Sequence, residues 1–90
     1  MHAVIVSVTI NDRDKATEML RGRVVPMASQ APGFVAGYWV TIEGGNQGRG
    51  TIVFESEEAA RGLADQLHQQ PASEEVTVDS VEIGEVAASA

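Results

Sequence analysis

The first strand is the feature that most limits what this chain can fold into. Residues 3–10 read Ala-Val-Ile-Val-Ser-Val-Thr-Ile, so apolar or β-branched side chains occupy most positions of both alternating sets. A strand buried on both sides of its sheet has this pattern. The even positions, from Val4 to Ile10, are the more apolar, and the odd positions include Ser7 and Thr9. The fold must therefore cover both faces of this strand.

A helix is predicted to follow. Asn11 or Asp12 can cap it, because a short side-chain oxygen accepts a hydrogen bond from a free amide of the first turn. Apolar residues from Ala16 to Met27 then recur at helical spacing. Pro26 falls inside this pattern and must kink the helix or restart it as a second short segment, since proline lacks the amide donor and clashes with the preceding turn.

The rest of the chain reads as two strands, a helix and a last strand. The predicted elements are a strand from Phe34 to Ile42, a hairpin loop over residues 43–48, a strand from Arg49 to Glu55, a helix capped by Ser56 and closed by Pro71, and a strand from Glu75 to Val86. Regular alternation places Tyr38 and Trp39 on opposite faces of the second strand. In the last strand the apolar residues occupy even-numbered positions up to Val78 and odd-numbered positions from Val81 onward. This change indicates a bulge or a crossing between two environments.

This order is βαββαβ, and it predicts one α+β domain over residues 1–90 with a ferredoxin-like fold. Such a fold has an antiparallel four-stranded sheet with two helices on one face. The other face would then be open to water, although the first strand is apolar on both sides. A homodimer that packs two sheets face to face would supply the missing cover.

Composition excludes several function classes. The chain has a net charge of −7, and residues 55–90 carry nine acidic residues against Arg61 alone. Most of the surface would repel nucleic acid and an anionic membrane, so neither is an expected partner. Without cysteine, the chain cannot form disulfides, thiolate nucleophiles or iron–sulfur sites. We expect no metal site and no cofactor, and, in the absence of a leader or spanning segment, a cytoplasmic protein.

Several segments resemble the dimeric α+β barrel superfamily, over about residues 2–86. They are Pro26, the run Ala31-Pro32-Gly33-Phe34, the run Gly37-Tyr38-Trp39 and the stretch from Val53 to Ala60. Within that superfamily, the resemblance is to the antibiotic-biosynthesis-monooxygenase-like branch, especially its small actinobacterial members. It implies a homodimer whose two sheets form a barrel, with a pocket between sheet and helices in each subunit.

The resemblance also implies candidate functions. Haem degraders of this branch rely on an asparagine on the first strand, a tryptophan on the third and a histidine on or after the second helix. Here those positions hold Ser7 and Phe54, and only His68 matches, which argues against haem degradation. The branch also contains cofactor-free oxygenases of aromatic polyketides, which use pocket tyrosine and tryptophan side chains. Tyr38 and Trp39 supply those residue types, but on the second strand.

We therefore expect a cofactor-independent monooxygenase-like protein that acts on a small aromatic or quinone-like molecule. Its candidate ligand-pocket residues are Ser7, Tyr38, Trp39, Phe54 and His68. The alternative is a non-catalytic homodimer that binds a small apolar ligand or serves an accessory role, and the sequence leaves open whether the chain is an enzyme.

Four of the five candidate residues also have a purely structural role available. Tyr38 and Trp39 can pack in the core or at the dimer interface, and the Ser7 hydroxyl can bond a neighbouring strand. A protonated His68 is favourable near a helix C-terminus. The glycine-rich residues 44–50 lie between two strands and lack the Lys-Ser/Thr pair of a phosphate loop, so they are read as a hairpin.

Overall fold

The ferredoxin-like order is confirmed in the computed structural model, which describes residues 1–69 and 76–90. The elements are β1 (His2–Ile10), α1 (Arg13–Met19), a π-helical turn (Leu20–Val24), α2 (Val25–Ser29), β2 (Phe34–Thr41), β3 (Gln47–Phe54), α3 (Glu57–Gln69) and β4 (Val76–Glu85). The strands form one antiparallel sheet in the order β2-β3-β1-β4. The predicted helix stop at Pro71 and strand start at Glu75 lie outside the described residues.

Strand β1 lies at the centre of the sheet and carries the core. Its even side chains face the helices, where Val4 and Val6 are buried together with Ile52 and Phe54 of β3. Helix α3 covers this face with an apolar stripe of Ala60, Leu63 and Ala64. We call this side of the sheet the helix-facing side.

The first helical segment is a continuous arm over residues 13–29. Asp12 is the cap, since its side chain accepts a hydrogen bond from the Lys15 backbone N–H at 3.1 Å. Pro26 does not break the arm, because a widened turn precedes it, with the Val25 N–H bonded to the Leu20 carbonyl five residues back. A new α-helical segment then starts with Pro26 in its first turn, where the missing amide costs little.

The shift of apolar residues from even to odd positions in β4 corresponds to a bulge. The register between β1 and β4 shifts between Ser7 and Val8, where Ser7 pairs with Ser80 and Val8 pairs with Val78. The extra residue, Asp79, returns the apolar positions on both sides of the bulge to the helix-facing side.

The opposite side of the sheet, which we call the outer face, has no helix over it in the described protomer. Register pairing places these side chains on it: Ala3, Ile5, Ser7, Thr9, Ala36, Tyr38, Val40, Arg49, Thr51, Val53, Ser80 and Glu82. Ile5, Tyr38 and Val40 are all exposed there. Exposed apolar side chains grouped on one face are typical of an interaction surface. None of the helices in the described residues has the length and hydropathy needed to cross a membrane.

The placement of the core can be tested by the same valine-to-alanine substitution at a buried site and at an exposed site. Val4 is 0% exposed and Val78 is 48% exposed, although both face the helices. We expect Val4→Ala to lower the free energy of unfolding by about 2 kcal/mol, because it removes buried methyl groups and leaves a cavity. Val78→Ala should change it by less than about 1 kcal/mol. Urea denaturation monitored by circular dichroism measures both, and equal losses would contradict this placement of the core.

Candidate functional site

The five sequence-predicted site residues lie in three separate environments. Phe54 is 0% exposed in the core, where its ring meets that of Phe34 edge to face at a centroid distance of 6.3 Å. Ser7 and Tyr38 lie on the outer face, with Tyr38 67% exposed. Trp39 lies on the helix-facing side, so the predicted alternation of Tyr38 and Trp39 is confirmed. The structure therefore does not gather the five residues into one pocket.

His68 lies exposed in the last turn of α3. Among the residues that the structure describes, no group of three or more His, Cys, Asp or Glu side chains is arranged to hold a metal ion. The position fits the structural role of an imidazole close to a helix C-terminus.

The second histidine, His2, lies near the charged side chain of Glu57. His2 Nε2 lies 4.0 Å from Glu57 Oε2 at the start of α3. Arg61 binds the other oxygen of Glu57, with Nε and Nη2 at 2.9 and 2.6 Å from Oε1. Hydrogen bonds from Arg61, its charge and the charge of His2 lower the pKa of the Glu57 carboxyl. The cluster is on the surface, so it ties β1 to α3 without forming a site.

Trp39 has the most distinctive surroundings of the candidates. Its indole lies flat across two glycines of the helix-facing side, Gly37 on its own strand and Gly50, its partner on β3. A Cβ at Gly37 would lie 2.8 Å from Cη2 of the ring, and a Cβ at Gly50 would lie 3.1 Å from Cδ1. Only glycine leaves room for the ring at both places. Gly48, also buried, continues this row along β3 under the side chains of Val8 and Ile10.

We call this arrangement of Gly37, Trp39, Gly48 and Gly50 the glycine floor. Trp39 packs against the core on one side and is partly buried. Within the described residues, its indole N–H has no protein acceptor and keeps access to solvent. A ring that presents a planar surface and a free N–H donor is suited to a planar ligand that carries a carbonyl oxygen.

The hairpin loop predicted over residues 43–48 leaves Gly48 out of the sheet. Strand β3 begins at Gln47 instead, two residues before the predicted start. This earlier start adds Gly48 to the sheet on the same side as Gly50 and Trp39. The alternation Gly48-Arg49-Gly50 is the signal that could have revealed it, since residues two apart share a face.

The helical arm is attached to the core at its C-terminal end, where Ala28 is buried in the core cluster. Its earlier apolar residues Ala16, Met19, Leu20 and Val24 belong neither to that cluster nor to the side chains packed against it. The π-helical turn and Gly22 lie in this earlier stretch, and π turns inside helices frequently occur at functional sites. Residues 13–24 are therefore the part of the arm that contributes least to the core.

Two open depressions on the surface of the described residues are lined by side chains other than Trp39. One, of about 430 Å³, is open to solvent along the arm and is lined by Lys15, Glu18, Met19 and Arg23. The other, of about 460 Å³, lies between the turn at residues 31–33 and α3.

No protein-family model and no curated protein matches this sequence. Solved structures do match its fold. HapK from Hahella chejuensis has a TM-score of 0.68 at 13% identity, covering 100% of this chain and 96% of that one. A monooxygenase, ActVA-Orf6 of Streptomyces coelicolor, in complex with nanaomycin D, has a TM-score of 0.65 at 16% identity, covering 99% and 89%. The haem degrader MhuD from Mycobacterium tuberculosis, with two haems bound, has a TM-score of 0.54 at 24% identity, covering 97% and 98%.

These three neighbours are antibiotic-biosynthesis-monooxygenase-like proteins with the dimeric α+β barrel fold. The resemblance noted in the sequence is thus confirmed for the fold. At 13–24% identity the comparison is one of fold and not of activity.

The contact between Gly50 and Trp39 can be tested by fluorescence, because Trp39 is the only tryptophan. Gly50→Ala would place a Cβ 3.1–3.2 Å from Cδ1 and Nε1 of the indole, so the ring must shift. We expect a changed emission maximum and intensity. Gly62→Ala is the control, because no atom lies within 4 Å of the added Cβ. A spectrum for Gly50→Ala that superimposes on that of the parent protein would show that the ring does not rest on the glycine.

Proposed function

We propose that this chain forms a homodimer in which each subunit binds a small aromatic or quinone-like molecule against Trp39 and oxidises it with dioxygen, without a cofactor. The observation that carries the proposal is the glycine floor. It holds a single large aromatic ring flat on the helix-facing side of the sheet, with its N–H unpaired among the described residues. That position agrees with the pocket between sheet and helices that the family resemblance implies.

The ligand would enter between the arm and the glycine floor. Met19, Leu20 and Val24 of the arm lie outside the core cluster, so they are available to contact the ligand while Ala28 keeps the end of the arm in the core. Apolar side chains on one wall and an indole plane on the other suit a flat, mostly apolar molecule. The indole N–H would then donate to a carbonyl or hydroxyl oxygen of that molecule.

The substrate supplies the electrons for such a reaction. For a phenol, one atom of dioxygen replaces a ring hydrogen and ends as a second carbonyl oxygen, which gives a quinone. The other oxygen atom leaves as water with the two hydrogens that the phenol loses, so phenol plus dioxygen gives quinone plus water. The chain's own contribution would be to bind the ring, orient it against Trp39 and exclude bulk water.

Haem degradation is a weaker candidate, although MhuD shares the fold. Ser7, at the position of the haem degraders' asparagine, lies on the outer face, opposite to Trp39. Phe54, at the position of their tryptophan, is sealed in the core. Those two side chains cannot meet one ligand on the helix-facing side.

A non-catalytic dimer is the second candidate. It is favoured by the two surface depressions, neither of which is lined by Trp39. On this view the indole fills the space above the two glycines as packing, as aromatic rings do over glycines in strands. Ligand binding and oxygen consumption separate the two functions.

If the ligand binds at Trp39, substitutions of Trp39 and of its neighbour Tyr38 should change the ligand affinity by different amounts. In a thermal-shift screen of hydroxylated naphthoquinones and anthraquinones, a ligand should raise the melting temperature of the parent protein. Trp39→Ala should weaken its affinity about tenfold, which corresponds to about 1.4 kcal/mol. Trp39→Phe should weaken it less, because it keeps the ring and loses only the N–H. Tyr38→Ala, on the outer face, is the matched control and should leave affinity unchanged.

A larger loss in Tyr38→Ala than in Trp39→Ala would place the ligand on the outer face and contradict the proposed site. Oxygen consumption with the monophenol that corresponds to the bound quinone but lacks one of its two carbonyl oxygens then tests catalysis. Binding without oxygen uptake above the spontaneous rate would select the non-catalytic function.

The outer face supports the homodimer, and a matched pair of valines tests it. Val40 is 55% exposed on the outer face and Val78 is 48% exposed on the helix-facing side. We expect the parent protein to sediment at twice the 9.5 kDa chain mass. Val40→Glu should shift the protein to monomer, because it buries a carboxylate in the apolar interface. Val78→Glu should remain a dimer. A parent protein that is monomeric at micromolar concentration would overturn the homodimer.

A further inference from the structure

The arm carries most of the positive charge of the chain. Four of the six Lys and Arg residues lie within residues 13–23, and all four are exposed: Arg13, Lys15, Arg21 and Arg23. The same stretch holds two acidic residues, so it is net positive in a chain of net charge −7. Helix α3, by contrast, is net negative over Glu57–Gln69. Within the described helical layer, the arm is therefore the part that would attract an acidic partner.

Little in the described structure neutralises these cations. The two ion pairs found among the described residues both use Glu57 of α3. Arg13 donates to the Gly45 carbonyl at 3.3 Å. The side chains of Lys15 and Arg23 have no protein partner in the described part of the chain. Exposed charges are common on any surface, so the shape of the arm must show whether these two mark a site.

A depression along the arm places both cations beside an apolar side chain. It is open to solvent, has a volume of about 430 Å³, and is lined by Lys15, Glu18, Met19 and Arg23. Met19 is half-buried and lies outside the core cluster, so its thioether is available to pack against another molecule. At Gly22 an added Cβ would meet no atom within 4 Å, so the surface stays open there.

The order of these residues along the arm indicates the shape of the occupant. Lys15 and Arg23 are eight residues apart, which corresponds to about 12 Å along a helix. Glu18 and Met19 lie between them. A compact anion placed midway would be repelled by the Glu18 carboxylate. An extended partner can instead place one carboxylate at each end and an apolar side chain in the middle.

We infer that this face of the arm, formed by Lys15, Glu18, Met19 and Arg23, docks an acidic amphipathic helix of another protein. Two carboxylates eight residues apart and an apolar residue midway lie on one face of a helix. The carboxylates would pair with Lys15 and Arg23, and the apolar side chain would pack on Met19. This face is separate from the glycine floor and from the outer face, so the inference does not depend on the proposed oxidation or on the homodimer.

The charge of the remaining surface favours a partner of limited size. Nucleic acid or an anionic membrane would extend beyond the arm and meet the acidic part of the chain, which repels both. A single acidic helix can contact the arm alone. The repulsion elsewhere then directs the encounter to the arm, and the ion pairs supply orientation more than affinity.

Fluorescence anisotropy with a labelled synthetic peptide tests this docking face. The probe is an alanine-rich helical peptide that carries two Glu residues two helical turns apart and Leu midway, and the comparison peptide has Gln in place of both Glu. We expect the parent protein to bind the Glu peptide at least about tenfold more tightly at low salt, and added salt to weaken the binding. Equal affinity for the two peptides, or no binding of either, would show that the inference is wrong.

Substitutions on the arm separate this face from general charge attraction. Arg23→Glu should weaken binding of the Glu peptide at least about tenfold, and Met19→Ser should weaken it although the charge is unchanged. Arg21→Glu is the matched control, because Arg21 lies on the same arm but does not line the depression, and it should stay within about threefold of the parent. Equal losses for Arg21→Glu and Arg23→Glu would contradict a defined docking face.

A charge exchange and two other probes complete the test. One of the two peptides in which a single Glu is replaced by Lys should bind Arg23→Glu more tightly than the Glu peptide does. If phosphatidylserine vesicles bind the parent more tightly than the Glu peptide does, a membrane occupies this face and the inference fails. If Arg23→Glu lowers the mass of the parent in sedimentation equilibrium, a second copy occupies it and the inference also fails. Circular dichroism of each variant confirms that it is folded.

Discussion

The burial of β1 is the interaction on which the rest of the structure depends. Val4 lies between Ile52 of β3 and Ile83 of β4, under the apolar stripe of α3. Burying one such side chain contributes about 1.5–3 kcal/mol, and β1 does so at successive even positions. Because side chains alternate along a strand, the same residues that place Val4 and Val6 in the core also send Ile5 to the other side. The described helices form a single layer on the other side of the sheet, so none of them covers Ile5.

This alternation separates the two surfaces with which the chain can act. On β2, Tyr38 points to the outer face and Trp39 to the helix-facing side, although they are adjacent in sequence. The outer face exposes the apolar side chains Ile5, Tyr38 and Val40, which suits the proposed second copy of the chain. The helix-facing side has an indole that rests on glycines, which suits the proposed small flat molecule. The proposed assembly and the proposed ligand binding therefore use opposite sides of one sheet.

The sequence predicted the start of a helix well where the side chain of one residue caps it. Asp12 and Ser56 cap their helices as their side-chain chemistry requires, with the Ala59 N–H bonded to Ser56 Oγ at 3.2 Å. The parity change in β4 predicted its bulge. The candidate site was less predictable, because Phe54 was chosen by its position in a family pattern and lies at the centre of the core. The pairing of Gly50 with Trp39 depends on the β2–β3 register, which no short pattern specifies.

The sequence by itself determined the order of elements, the two apolar faces of β1, the opposite directions of Tyr38 and Trp39, and the acidic character of the second half. These properties follow from side-chain period, capping chemistry and charge, which act between near neighbours in the chain. Only the tertiary structure decided that Gly37 and Gly50 lie under an indole, that Pro26 follows a π turn in an unbroken arm, and that the five candidate site residues lie in three separate environments. Each of these depends on strand register or on packing between distant segments, so it is settled only when the sheet has formed.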